Sequence, residues 1–374
     1  MARRVRFMPM LVLLALVSLA APAHAIGAFG PPVTVYDPPC EFDAFNADAA
    51  QDVTGVAHGF TNLWGGTGCE NPVIRYFEGS GPTWTQEATP YRGFVMGVAQ
   101  DTTGTYLLYL DPAAGQGIRI TKRLAAGTYT AGRLLSGNWA SSSDTHGDVV
   151  AAGGRWQAVW TEPTGAAMQL DLFQASTLGG TSRNRQRITT SGLADWGPTL
   201  ALTPGAIFPL KLIWVRGGNL EGEGPAVQSD LRLANGAANG TWSASALATL
   251  GQDNFWPDAR VVGTTTYVTW LRDGRAVAAD DGSGRFASHT FATPAIPHGR
   301  PKTALSAGRV FAAWTTTSNR TFVAVRSGGT WTGAAASPAG AARLQFVTGL
   351  VPRNGKATAL TISFGARLYA TTES

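Results

Sequence analysis

Only two of the 374 residues are cysteine, and charged residues of all kinds make up 14% of the chain. Lysine occurs only at Lys122, Lys211, Lys302 and Lys356, and arginine is scattered, so the basic run or stripe of a nucleic-acid binder is missing. Beyond the first 25 residues histidine is confined to His58, His146, His289 and His298, with no ligand-spaced pair and no His-Glu-x-x-His helix. Asp280-Asp281-Gly282 lacks the spacing of a calcium loop, and no Gly-x-Ser-x-Gly elbow or phosphate-binding glycine loop stands between a strand and a helix. No resident metal or cofactor is therefore expected. Sustained helical periodicity is absent as well. No apolar run reaches the about 20 residues that a membrane span needs.

What is present begins at the N-terminus. Arg3, Arg4 and Arg6 form a positive region, Leu11 to Ala21 is apolar but too short to span a bilayer, and Ala23-His24-Ala25 offers a small-x-small cleavage site. Residues 1–25 read as a secretory signal peptide, leaving 26–374 as one exported, soluble domain, expected to be monomeric. Removing three arginines lowers the formal net charge from +5 to +2. The abundance of Ala and Gly, with Arg preferred over Lys, is the usage of a high-GC bacterial source. In an exported chain, an even cysteine count argues for a Cys40–Cys69 disulfide, which in the chain-entropy view is worth roughly 3 to 4 kcal/mol.

Short β-branched and aromatic runs, bounded by Gly, Asn, Asp and Pro, recur along the rest of the chain and indicate an all-β fold. Three features repeat in one order. A Pro- or Gly-marked approach comes first, as in Asp195-Trp196-Gly197-Pro198, Asn254-Phe255-Trp256-Pro257 and His298-Gly299-Arg300-Pro301. A strand ending in an aromatic follows, at Tyr109, Trp160, Trp214, Trp270, Trp314 and, more weakly, Trp64. A Gly-rich turn then leads to another aromatic, as in Gly81-Pro82-Thr83-Trp84, Gly127-Thr128-Tyr129, Gly240-Thr241-Trp242, Gly284-Arg285-Phe286 and Gly329-Thr330-Trp331. Steps of 44 to 56 residues between the strand-ending aromatics match a four-stranded propeller blade.

Counting strands predicts a seven-bladed β-propeller of antiparallel four-stranded blades, with six blades as the alternative if the Trp64 unit is irregular. After Trp331 there is room for three strands only, near Leu344–Val351, Ala357–Ser363 and Arg367–Thr371. Pro32-Val33-Thr34-Val35-Tyr36 is expected to complete that last blade as its outer strand and so close the ring.

The Gly-x-Thr-Trp tail resembles the Asp-box of sialidase-like propellers, in degenerate form. Ser327-Gly328-Gly329-Thr330-Trp331 lacks the Asp, and Asp281-Gly282-Ser283-Gly284-Arg285-Phe286 lacks the Thr and Trp. In that family the box is a structural turn away from the active site, so the resemblance implies fold and not catalysis. The family's arginine triad, Tyr–Glu nucleophile pair and Asp acid/base are not matched. Arg92, Arg300 and Arg343 precede three inner strands, where a triad would sit.

Propeller topology places the connections between blades and the second-to-third-strand loops on one face, around the channel mouth. The approach segments bring Tyr91, Arg92, Trp139, His146, Trp196, Phe255, Trp256, His298 and Arg300 to it. The loops bring Asp111, Glu162, Arg216, Glu221, Glu223, Arg272 and Asp273. Aromatic rings beside planar donors and carboxylates suit carbohydrate, whose apolar face stacks while its hydroxyls need partners. Trp196 and Trp256 also carry a packing reading, whereas His298 and Arg300 are harder to explain as core. The expectation is a non-catalytic extracellular propeller that binds a glycan or another surface ligand through the channel face. The alternatives are a sialidase-like or other glycoside hydrolase using Glu162 and Asp273, and a scaffold for an extracellular protein.

Overall fold

The computed structural model describes residues 26–37, 47–63, 73–113, 117–139, 145–165, 169–203, 209–217, 229–237, 240–248, 253–282, 286–296, 299–327, 329–336, 345–363 and 367–374. Its strands form seven antiparallel sheets of four, and no α-helix occurs among the described residues. Each sheet is one blade. The inner strands, from blade 1 to blade 7, are Ala47–Gln51, Phe94–Asp101, Gly147–Ala152, Asp195–Leu202, Asn254–Val262, Lys302–Ser306 and Gln345–Arg353. Successive inner strands pack side by side, and blade 7 meets blade 1, so the ring is closed.

Closure uses both ends of the chain. Gln345–Arg353, Lys356–Ser363 and Leu368–Thr372 supply three strands of blade 7, and Val33–Tyr36 pairs with Leu368–Thr372 as the fourth. The arm before it is also bound: Gly27 N–H donates to Glu373 at 2.7 Å and Gly30 N–H to the Thr372 carbonyl at 2.9 Å. Cys40 and Cys69, the expected disulfide, lie outside the described residues, as does Trp64.

The repeating aromatics form the walls between blades. Tyr109, Trp160, Trp214, Trp270 and Trp314 all lie in second strands and are buried. A buried indole usually finds an acceptor for its N–H, and three of the four do so among the described residues, Trp314 being the exception. Trp160 finds Glu162 at 2.6 Å, Trp214 finds Asp195 at 2.7 Å and Trp270 finds Asn254 at 3.0 Å. Truncating one such Trp to Ala costs about 3 to 5 kcal/mol. The Gly-x-Thr-Trp turns join third to outer strands, with Trp84 and Trp331 in blades 1 and 6.

An inner strand has a partner strand on one side only, so its outward amides need other acceptors. Side chains of the preceding blade supply them. Asp48 accepts the Val98 amide at 3.0 Å, Asp148 the Leu200 amide at 2.8 Å and Asp258 the Thr303 amide at 2.6 Å. These three aspartates couple blades 1 to 2, 3 to 4 and 5 to 6. Lys302 pairs with Asp48 at 3.0 Å and Arg260 approaches Asp258 at 3.6 Å, which keeps the axial acids partly neutralised.

Candidate functional site at the channel mouth

Several inner strands begin with a bulge. In blade 4 the register shifts between Trp196 and Thr199, and in blade 5 between Phe255 and Asp258. The two bulges are Trp196-Gly197-Pro198 and Phe255-Trp256-Pro257, so Phe255 is the counterpart of Trp196, and Trp256 stands where blade 4 has glycine. Gly197 adopts φ +57° and Trp256 φ +52°. Glycine takes this left-handed conformation freely, whereas a bulky residue is strained there by about 1 to 3 kcal/mol. Trp196 is fully enclosed, with its N–H on the Gly217 carbonyl at 2.8 Å, so it is wall and not an exposed platform. Trp256 is half-buried and rests edge-on against Trp196 at 5.2 Å between centroids.

Two further residues converge on Trp256. The Arg300 guanidinium lies 4.3 Å from the ring centroid, and the His146 imidazole meets the ring edge-on at 4.9 Å. Arg300 Nη2 donates to His146 Nδ1 at 2.8 Å. Arginine has no acceptor, so Nδ1 must offer its lone pair and the imidazole proton belongs on Nε2. Burial, and then the Arg300 charge, hold the His146 pKa well below 6.5, which keeps the ring neutral. Burial lowers the Arg300 pKa to about 10, with Asp48 opposing, so it remains a cation at neutral pH. His146, Trp196, Trp256 and Arg300 thus form one cluster, although 154 positions separate His146 from Arg300. It presents a strained indole, a fixed guanidinium and a neutral imidazole.

The other expected site residues lie elsewhere. Tyr91 sits in the seam of blades 1 and 2, packed on Tyr109 at 5.4 Å and Tyr129 at 5.7 Å, with its hydroxyl on the Thr130 carbonyl. Arg92 follows it, exposed. Trp139 is partly buried against the core between blades 2 and 3. Arg272 donates to the Thr290 hydroxyl at 2.7 Å. Asp273 is an exposed turn residue at φ +48° that accepts the Asp253 amide at 3.0 Å. Asp111 accepts the Ala113 amide at 3.2 Å. His298, Glu221, Glu223 and Arg343 fall outside the described residues.

Glu162 is completely buried and held by Arg185 at 2.6 Å, Trp160 at 2.6 Å and Asn138 at 3.2 Å. Arg216 is likewise committed, to Asp195 at 2.7 Å. Two carboxylates near the face are therefore structural anchors. A tyrosine–glutamate pair does exist, which sequence reading missed: Tyr76 donates to Glu78 at 2.6 Å, and His58 Nδ1 lies 2.5 Å from the phenol oxygen. It stands in the seam of blades 1 and 2 beneath Arg123, 4.0 Å from the Tyr76 ring centroid. Burial pushes the Tyr76 pKa far up, the reverse of what activates a phenol nucleophile. Its i, i+2 spacing, one face of a strand, was the available signal.

No family profile matches the sequence, and no curated protein is similar to it in sequence. Solved structures are similar in fold. The polysaccharide lyase Uly1 aligns over 94% of this chain and 98% of its own, at 10% identity and a TM-score of 0.56. The phage phi92 endosialidase aligns over 93% of this chain and 69% of its own, at 11% identity and a TM-score of 0.51. A fucose-specific lectin from Aleuria aurantia covers 81% of this chain at 14% identity, with a TM-score of 0.49. At these identities the likeness to the lyase and the endosialidase is one of fold alone, and the seven blades are read from this chain's own sheets.

Proposed function

We propose that this chain is a secreted, monomeric carbohydrate-binding propeller, with its sugar site at the channel mouth on Trp256, Arg300 and His146. The observation that carries the proposal is the conformation of Trp256, a large aromatic at φ +52° where the neighbouring blade uses glycine. Trp196 already fills the wall beneath, and Trp256, although it packs on the cores of both neighbouring seams, keeps part of its ring exposed. The strain is explained when the ring serves a ligand. An indole beside a fixed planar donor suits a pyranose, with its C–H face on the ring and its hydroxyls on the guanidinium. Two of the similar structures are named for enzymes of glycans, an endosialidase and a polysaccharide lyase, which agrees with a sugar ligand.

The binding role is proposed as non-catalytic. Glycoside hydrolysis by the common route needs two carboxylates about 5 to 10 Å apart. Near the mouth, Glu162 and Asp195 are sealed in ion pairs with Arg185 and Arg216. A glycan array with the purified protein should give hits that Trp256→Ala and Arg300→Ala abolish. A blank array across a broad glycan set sinks the proposal. Turnover of aryl-glycoside or sialoside reporters, lost in Asp273→Asn, would replace it with the hydrolase alternative.

A further inference from the structure

Inner strands run from the channel mouth to the opposite face, so the first-to-second-strand and third-to-outer-strand turns lie there. On that face, in the seam where blade 7 meets blade 1, is a cavity of about 330 Å³. Blade 7 contributes Arg353, Asn354 and Lys356, and blade 1 contributes Ser80 and Trp84. Sites for small ligands begin at about 300 Å³, so the space suits one sugar ring.

Two glycines shape the walls. A Cβ on Gly79 would lie 2.7 Å from Trp84 Cδ2, so only glycine lets the indole lie against this strand. The Trp84 N–H donates to the Gly81 carbonyl at 2.9 Å, which fixes the ring. A Cβ on Gly55 would lie 2.7 Å from Arg353 Cγ, and Arg353 Nη1 donates to the Ser80 hydroxyl at 2.6 Å. The guanidinium is thereby stretched from blade 7 across to blade 1. Among the described residues, its Nε and Nη2 are left for another acceptor. Lys356 is exposed beside it, and no Asp or Glu among the described residues lines the cavity.

We propose that this cavity is a second carbohydrate site, selective for a carboxylate-bearing sugar whose ring lies on Trp84 and whose carboxylate meets Arg353 and Lys356. Guanidinium and carboxylate match as planar partners, and the ammonium adds charge without demanding a direction. A neutral sugar leaves both cations unanswered. The inference is independent of the channel-mouth site. A ligand here touches both sides of the closing seam, and any ligand of the native state alone raises stability by mass action.

The test titrates trigalacturonate and neutral galactotriose into the full chain at low salt, by calorimetry and by thermal shift. Trigalacturonate should bind and raise Tm, whereas galactotriose should do neither. Arg353→Gln/Lys356→Gln should weaken binding by about tenfold or more, the effect expected for lost charge-assisted hydrogen bonds. Should the double variant fold poorly, Lys356→Gln alone changes an exposed side chain and should act in the same direction. Arg320→Gln, which changes an exposed arginine belonging to neither site, should bind as the wild type does. The proposal is overturned by no binding to the wild type, by equal binding of galactotriose, or by full affinity in the variants. Loss confined to Arg300→Ala would assign the binding to the channel mouth and also overturn it.

Discussion

Asp148→Asn should make the protein more stable in neutral solution and leave it almost unchanged in acid. Asp148 Oδ2 accepts the Leu200 amide at 2.8 Å and the Thr199 hydroxyl at 3.1 Å. Burial raises its pKa from 3.8 to about 6, with Asp48 and Asp258 adding and Arg260 and the Leu200 amide opposing. A folded pKa above the unfolded one means that the native state holds the proton more tightly. The stabilising contribution is therefore whole below pH 3.8 and is lost as pH rises through about 6. Each unit is worth about 1.4 kcal/mol, so the loss is about 3 kcal/mol, an upper value because the carboxylate borders the open channel. Roughly 2.5 kcal/mol of it falls between pH 4 and pH 8. Asparagine keeps an acceptor for the Leu200 amide and never ionises. With an unfolding entropy of about 2.1 cal/mol/K per residue over about 350 folded residues, 2.5 kcal/mol corresponds to about 3 to 4 °C. Scanning calorimetry of both proteins from pH 4 to pH 8 should show the variant's Tm advantage growing by that amount. Parallel profiles, or an advantage that shrinks with rising pH, would mean that Asp148 does not hold its proton more tightly in the folded state.

Other substitutions probe the wall, the second cavity and the mouth. Glu162→Ala removes the acceptor of the buried Trp160 N–H and the partner of Arg185, and should cost about 2 to 3 kcal/mol in urea unfolding; a loss below about 0.5 kcal/mol would contradict its role as an anchor. Gly79→Ala would set a Cβ 2.3 Å from the Thr83 carbonyl oxygen, so it should destabilise by about 1 to 3 kcal/mol, and an unchanged Tm would argue against the tight turn under Trp84. His146 should show no titration between pH 5 and pH 8 and should carry its proton on Nε2 in nitrogen-15 NMR, because burial and Arg300 both disfavour its cation; a midpoint near 6.5 would refute that. Because its folded pKa is lowered, this histidine favours stability above pH 6.5 and withdraws it as pH falls below that value.

The architecture was legible because its cause is periodic. Trp160, Trp214, Trp270 and Trp314 fill one slot in successive blades, and the shortage of strands after Trp331 required Val33–Tyr36 to close the ring. The site was legible in part. His146, Trp256 and Arg300 were readable as residues of one face, but their mutual contact depends on ring closure, which no local pattern encodes. Trp196 and Trp256 look equivalent in sequence, each close before a proline. The bulge register separates them, placing Trp196 opposite Val215 and Phe255 opposite Leu271. Glu162 looked like a loop carboxylate, yet Arg185 reaches it from the outer strand of the same blade. Pairings across strands depend on register, and a one-residue shift exchanges the two faces.

In the proposed function the strained Trp256, with Arg300 and His146, forms a sugar site at the channel mouth. The decisive measurement is a crystal structure with a glycan identified on the array. It should show a pyranose ring against the Trp256 indole, with a hydroxyl within hydrogen-bond reach of the Arg300 guanidinium. A glycan bound elsewhere, with Trp256 and Arg300 untouched, would contradict the proposed function.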